Sequence, residues 1–164
     1  FNNFFEWVKG ADLVSLKECN TNEDPVRPEL DNEFRTSYGR KIYGVKYKNE
    51  IHAIMCFAFT NEIPKSVDEL DKLSKDAFLQ STLRGQKVGK IAIAYTVWSK
   101  KKGGGKLIVK EVFKKIKKSN HLNRLITLSP LTEMASRFHT RNGAKLLQVN
   151  ETTQNFEYQV EKKK

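Results

Sequence analysis

Between Ile91 and Lys118 the chain reads IAIAYTVWSKKKGGGKLIVKEVFKKIKK, and this order restricts the architecture more than any other stretch. Alternation places the bulky Ile91, Ile93 and Tyr95 on one face of an extended segment and the small Ala92 and Ala94 on the other, as in a strand lying beneath a helix. The strand is expected to run to Trp98 and stop at Ser99. Val109, Val112, Phe113 and Ile116 then recur at i, i+3, i+4 and i+7, so a helix with one apolar stripe and a lysine-covered outer face follows. A helix of that kind must bury its stripe against a sheet, which predicts strands layered with helices.

The connection, Lys100-Lys101-Lys102-Gly103-Gly104-Gly105-Lys106, leads directly into the helix. Glycines without Cβ let backbone approach a ligand closely, the first amides of a helix lack internal acceptors, and the positive dipole end attracts anions. The loop therefore suits a pyrophosphate. An ordinary lysine-glycine turn fits the same residues, and both readings stand at this point. It is not a Walker loop, because no Ser or Thr follows Lys106 to bind magnesium.

Other segments supply the remainder of the sheet. Lys41–Lys48 and Ile51–Thr60 flank the turn Lys48-Asn49-Glu50 and read as an antiparallel hairpin. In the second run Ile51, Ala53, Met55, Phe57 and Phe59 share one face while Ile54, Cys56 and Ala58 make the other apolar too, which predicts a central strand. Leu13–Leu16 reads as a short strand, and Phe4, Phe5 and Val8 have helical spacing. Asn20–Ser37, with two prolines and the acids Glu23, Asp24, Glu29, Asp31 and Glu33, reads as a polar loop with one helical turn, an acidic patch in a basic chain. Ser66 and Glu69 form a capping-box pattern before Val67, Leu70, Leu73 and Ala77, a helix that is a candidate lid.

Farther on, Arg124–Ser129 is a short strand stopped by Pro130, which favours the first turn of a helix. Leu131, Met134, Ala135 and Phe138 are that helix's expected buried stripe, with His139 beside it and Asn142-Gly143 at its end. Lys145–Val149 and Asn155–Val160 read as a closing antiparallel pair.

A chain of 164 residues with 38% hydrophobic content is expected to form one domain over residues 1–160, followed by a basic tail at 161–164. The net charge of +11 points to an anionic partner: a nucleic acid, an anionic membrane or a polyphosphate cofactor. Cys19 and Cys56 are too few for a disulfide framework or thiolate metal site, which favours a reducing, cytoplasmic location. No apolar run approaches the roughly 20 residues of a membrane span, Phe1–Val8 lacks the basic start of a signal peptide, and no metal-ligand cluster stands out.

The element order resembles that of the GNAT acyl-CoA N-acyltransferase superfamily, which implies an α+β fold with a mixed, mostly antiparallel central sheet flanked by helices. The superfamily's loop pattern is Gln or Arg, two residues, Gly, one residue, then Gly or Ala; Gly103 and Gly105 match, and Lys100 replaces the first position. The resemblance implies that the backbone of Lys101, Lys102, Gly103, Gly104, Gly105 and Lys106 holds the pyrophosphate of coenzyme A. It further implies that the strand edge at Val97 and Trp98 pairs with pantetheine.

Within that superfamily the chain is most similar to the catalytic domain of malonyl-CoA decarboxylases, through IMCFAFT (54–60), AYTVWS (94–99), GKLIVKE (105–111), TLSP (127–130), FHTRNGA (138–144) and NFEY (155–158). Carried over by position, Ser129 stands for the catalytic serine, His139 for the catalytic histidine and Tyr158 for a tyrosine of the same pocket. Loss of CO2 from a malonyl thioester leaves an enolate, so a site needs donors for the thioester oxygen and an acid for the carbon. His139 fits the acid, an amide near Val97 or Trp98 fits the donor, and Ser129 with Tyr158 fits the malonyl carboxylate; no metal is required.

Two other functions suit the same residues. One is acyl transfer from acetyl-CoA to an amine. The other is a non-catalytic binding protein whose Lys100–Lys102, Lys106, Lys110, Lys114, Lys115, Lys117 and Lys118 contact nucleic-acid phosphates, although aromatics are not interleaved with these lysines as in single-strand binders.

Overall fold

The segment with two apolar faces becomes the third of eight strands in one mixed sheet, with core packed on both of its sides. The structure is a computed structural model and describes residues 9–85 and 89–160. The helical spacing of Phe4, Phe5 and Val8 and the basic tail lie outside the described residues.

The strands are β1 (Asp12–Leu16), β2 (Lys41–Tyr47), β3 (Glu50–Thr60), β4 (Ile91–Ser99), β5 (Arg124–Thr127), β6 (Ser129–Pro130), β7 (Lys145–Val149) and β8 (Thr153–Tyr158). The helices are α1 (Asn32–Thr36), α2 (Val67–Arg84), α3 (Gly104–Lys118) and α4 (Glu133–Arg141). Sheet order is β1-β2-β3-β4-β5-β8-β6, with β7 added to β8. Among the described residues only β4 and β5 pair in parallel, so the sheet is mixed and mostly antiparallel, as expected. The β2–β3 hairpin turns at Lys48 and Asn49, whose φ angles of 48° and 65° match the right-handed twist of the strands they join.

Strand alternation sorts the core into two layers. On one face Ala53, Met55 and Phe57 of β3 and Ala92 and Ala94 of β4 meet Leu107, Ile108, Val109, Val112 and Ile116 of α3. The two alanines leave the space that the helix fills. On the other face Ile54, Cys56, Ile93, Tyr95 and Trp98 lie with Leu70 of α2. Ser66 caps α2 by accepting from the Glu69 amide at 3.1 Å, and Glu69 Oε1 accepts from the Lys65 amide rather than from Ser66 itself. With Leu70, Ser74, Ala77 and Ser81 buried, α2 is a structural layer of the fold and not a lid.

Two further expectations fail for identifiable reasons. Pro130 belongs to β6, opposite Thr153, and does not open a helix; its missing N–H is tolerated on so short a strand. The helix starts after Thr132, which accepts from the Ala135 amide, and this delay rotates the face that turns inward. Met134 is consequently 82% exposed, Leu131 is exposed as well, and the buried residue of α4 is His139.

The loop from Asn20 to Ser37 holds the expected helical turn as α1, and Asp24, Arg27 and Arg35 within it are buried. The hydroxyl of Thr96 on β4 donates to the Asp24 carboxylate at 2.7 Å, Arg35 Nη1 lies 2.9 Å from Asp24 Oδ2, and the amides of Val26 and Arg27 donate to Oδ1. Arg35 also donates to the carbonyls of Arg27 at 2.7 Å and Leu30 at 2.9 Å. The loop is thus folded around a buried ion pair. Glu23, at its edge, pairs with Lys100 at 3.0 Å, so the first lysine of the glycine-rich loop has a protein partner.

Removing Asp24 strands the Arg35 cation in the interior. Asp24→Ala is expected to cost about 3–5 kcal/mol of stability, read as a lower urea midpoint at unchanged slope. A loss below about 1 kcal/mol would show that the pair does not anchor the loop.

Candidate active site

Parallel pairing of β4 with β5 runs from Ile91 opposite Arg124 to Ala94 opposite Thr127, and a last hydrogen bond goes from the Leu128 amide to the Ala94 carbonyl at 2.8 Å. Beyond it, β4 pairs only with β3 while the chain after β5 pairs with β8, so the two strands form a fork. Cys56 faces Thr96 and Phe57 faces Ala94, which makes Tyr95 the extra residue of a bulge at that point. Val97 and Trp98 lie on the open stretch of β4: Val97 is partly buried towards α3, and Trp98 is buried on the opposite face. Among the described residues the Trp98 indole Nε1 and the Tyr95 hydroxyl, both buried, have no hydrogen-bond partner.

Arg27 occupies the fork. Its Nε donates to the Tyr95 carbonyl at 3.0 Å and its Nη2 to the Leu128 carbonyl at 3.2 Å, so one guanidinium joins the strands where their own pairing ends. Sequence reading missed it. The available signal was the run Asp24-Pro25-Val26-Arg27-Pro28, in which two prolines fix a turn that carries an acid and a base.

The glycine-rich loop begins at the end of β4. Lys100 donates its amide to the His52 carbonyl at 2.8 Å, the Lys101 amide donates to Ser99 Oγ at 3.2 Å, and the Gly104 amide donates to the Lys101 carbonyl at 2.9 Å. Ser99 Oγ also bonds the Lys101 carbonyl. The amides of Lys101 and Gly104 are therefore engaged within the protein, while those of Lys102, Gly103 and Gly105 have no acceptor among the described residues. The three glycines serve different needs. Gly103 caps α3 with φ of 84°, which favours glycine. Gly104 and Gly105 are buried: a Cβ on Gly104 would sit 2.9 Å from the His52 carbonyl, and one on Gly105 would sit 2.8 Å from the Phe138 ring. Lys101, Lys102 and Lys106 are exposed around this helix start.

His139 and Tyr158 are brought together: Nδ1 lies 2.8 Å from the phenol oxygen, and both residues are buried. The imidazole stacks on Phe156 at 5.5 Å and meets the edge of Phe138 at 5.2 Å. Burial lowers the pKa of His139 to about 4 and raises that of Tyr158. Both groups are therefore neutral near pH 7, and their hydrogen bond suits either tautomer: when the phenol donates to Nδ1 the ring proton sits on Nε2, and when the phenol accepts from Nδ1–H the Nε2 is unprotonated. Ser129 is buried on β6, and its hydroxyl bonds Thr127 Oγ1 at 2.8 Å, which in turn accepts the Phe156 amide at 3.0 Å. Among the described residues no hydrogen bond joins Ser129 to His139; Thr127 bonds the Phe156 amide, and the Phe156 ring stacks on the imidazole.

Two surface depressions lie elsewhere, near the C-terminal end of α3; one is lined by Tyr43, Phe59 and Leu122, the other by Lys117 to Asn123.

No protein-family model matches the sequence, and no curated protein matches it. Solved structures are similar in fold. Malonyl-CoA decarboxylase from Agrobacterium vitis is 15% identical over 82% of this chain, with a TM-score of 0.59. The aligned part is only 37% of the decarboxylase, so the present chain spans little more than a third of that protein. The GNAT-like decarboxylase GphF, in complex with isobutyryl-CoA, is 9% identical with a TM-score of 0.65, over 92% of this chain and 100% of that one. An acetyltransferase of Bacillus subtilis in complex with CoA is 10% identical with a TM-score of 0.62, over 92% of this chain and 99% of that one. The fold is GNAT-like, as the sequence resemblance implied.

The burial of His139 has a sign-definite effect on stability. Its folded pKa lies below the ordinary value of 6.5, so the unfolded chain binds more protons as pH falls through the window from 6.5 to about 4. Acidification across that window is expected to remove roughly 2–3 kcal/mol through this residue alone. Urea unfolding from neutral to mildly acid pH should show that loss in the wild type and not in His139→Gln. Equal pH slopes for both proteins would refute the buried, neutral state.

Proposed function

We propose that this chain is an acyl-CoA enzyme that releases CO2 from malonyl-CoA to leave acetyl-CoA. The observation that carries the reading is the buried His139–Tyr158 pair on the sheet face that also presents Ser129, in a fold shared with malonyl-CoA and GNAT-like decarboxylases. Pyrophosphate would be held by the amides of Lys102, Gly103 and Gly105 and by the charges of Lys101, Lys102 and Lys106, with Gly104 shaping the helix start. Pantetheine would run along the open edge of β4 at Val97 and Trp98 and place the acyl group in the fork.

In the reaction the bond between the malonyl carboxylate and the methylene carbon breaks. Its electron pair forms the enolate, whose charge rests on the thioester oxygen, and CO2 departs. A β4 amide at Val97 or Trp98 stabilises that oxygen. The enolate carbon is basic enough to take a proton from neutral imidazole, so His139 Nε2–H serves as the acid while the Tyr158 hydroxyl returns a proton to Nδ1, and a solvent proton then restores the phenol, whose ionised form burial disfavours. Tyr158, bonded to His139, is thereby assigned to the imidazole rather than to the carboxylate, which falls to Ser129.

Acyl transfer to an amine is a second reading, favoured by one observation. In the tautomer whose Nδ1–H donates to the Tyr158 hydroxyl, the neutral His139 presents an unprotonated Nε2 that can take the proton an amine sheds as it attacks the thioester. The two readings part in a simple assay. With malonyl-CoA alone in deuterated water, decarboxylation yields CO2 and acetyl-CoA carrying one deuterium, and His139→Gln should lower kcat by about 10²–10⁴. Unchanged malonyl-CoA at high protein concentration, with acetyl-CoA consumed only when an amine is added, would establish the transferase instead.

A further inference from the structure

The loop that covers the second face of the sheet buries two guanidiniums and one carboxylate. Asp24 is committed to Arg35, with side chains that are both 0% exposed. Arg27, only 7% exposed, has no carboxylate within 4.0 Å among the described residues, and Glu29, the other acid close to it in sequence, is exposed. Its Nε and one Nη2 proton are taken by the carbonyls of Tyr95 and Leu128. Nη1 donates to no described atom, so the end-on edge of the guanidinium, two protons on Nη1 and one on Nη2, is left over. Burial pulls the Arg27 pKa below its ordinary value, yet arginine remains charged in proteins. Asp24 and Glu29 act on this cation only at longer range, and Nη1 is not among the buried polar atoms that lack a partner, so the end-on edge is open to an anion that pairs with it directly.

The position of this cation gives it a function. Arg27 bridges the two carbonyls at which the fork opens, which is where the proposed thioester would present its acyl group. We infer that Arg27 is a specificity-determining residue that pairs with the free carboxylate of a carboxyacyl thioester on its end-on guanidinium edge, supplying the charge that the neutral Ser129 hydroxyl lacks. The inference rests on the acyl-CoA reading above and adds to it the residue that selects a charged acyl group. A planar carboxylate matches that edge with two parallel charge-assisted hydrogen bonds, whereas an acetyl or alkyl acyl group leaves it unpaired. Since the negative charge moves off the carboxylate as CO2 forms, the grip is strongest before reaction. Arg27 therefore governs affinity and selection more than the rate of bond cleavage.

The probes are S-(2-carboxyethyl)-CoA, a thioether that keeps the reach of a malonyl group but cannot lose CO2, and its methyl ester, which removes only the charge. Calorimetric titration of the full chain should show the acid binding about 10- to 100-fold more tightly than the ester. Arg27→Gln should abolish that ratio while leaving ester affinity within about twofold, and Arg27→Lys should restore part of it. Equal affinity of the wild type for acid and ester would overturn the inference and leave the acyl-CoA reading standing. A ratio unchanged in a folded Arg27→Gln would do the same, because a purely structural clamp affects both probes alike. Failure of the wild type to bind either probe would overturn both. The wild-type comparison decides the matter even where Arg27→Gln does not fold.

Discussion

One carboxylate determines where the site lies. Asp24 ties its loop to β4 by accepting from Thr96, holds Arg35 in the interior, and orders its own turn through the amides of Val26 and Arg27. Thr96 follows Tyr95, the extra residue of the bulge, so the loop is fastened where the strand departs from regular pairing. Arg27, three residues after Asp24, is thereby delivered to the Tyr95 carbonyl and to Leu128 across the fork. The desolvation of Asp24 and Arg35 is tolerable because each has several partners, and the reward is geometry rather than net stability.

A second chain of contacts joins the glycine-rich loop to the imidazole. Gly105 lies against the Phe138 ring, Phe138 meets the edge of His139, and His139 bonds Tyr158 on β8. The helix that would hold pyrophosphate and the residue that would move a proton are thus in van der Waals register through one aromatic ring. Gly104 fixes the other side of the helix start against the backbone of β3. Any side chain at either glycine must displace one of these supports, so packing alone favours glycine at both positions.

The sheet and α3 were legible because their signals are local and redundant. The hairpin turn, the two apolar faces of β3, and the alanine face of β4 beneath the stripe of α3 each follow from alternation and burial. The site was legible only by resemblance. Periodicity placed Met134 inside and His139 at the margin of its stripe, whereas the β6–β8 pairing delays α4 and reverses the two. The loop from Asn20 to Ser37 was legible as a loop with one helical turn, but nothing local tells that Asp24 is buried against Thr96, a residue far along the chain. Non-local ion pairing leaves no periodic trace.

The electrostatic layout is asymmetric in a way that bears on chemistry. From the second face the fork receives a buried cation, Arg27, whereas the first face presents an imidazole that burial keeps neutral and a phenol that burial keeps protonated. Had both sides been cationic, a malonyl group would be held equally before and after CO2 forms at one end and charge collects on the thioester oxygen at the other. On the proposed reading, with charge at the carboxylate end and neutral donors at the other, binding and proton delivery would be divided between separate residues. The neutral donor would then act on the enolate without having stabilised the carboxylate that precedes it. Burial of His139 between Phe138 and Phe156 is what would maintain that division, so the aromatic packing of α4 on β8 would serve the chemistry as much as the core.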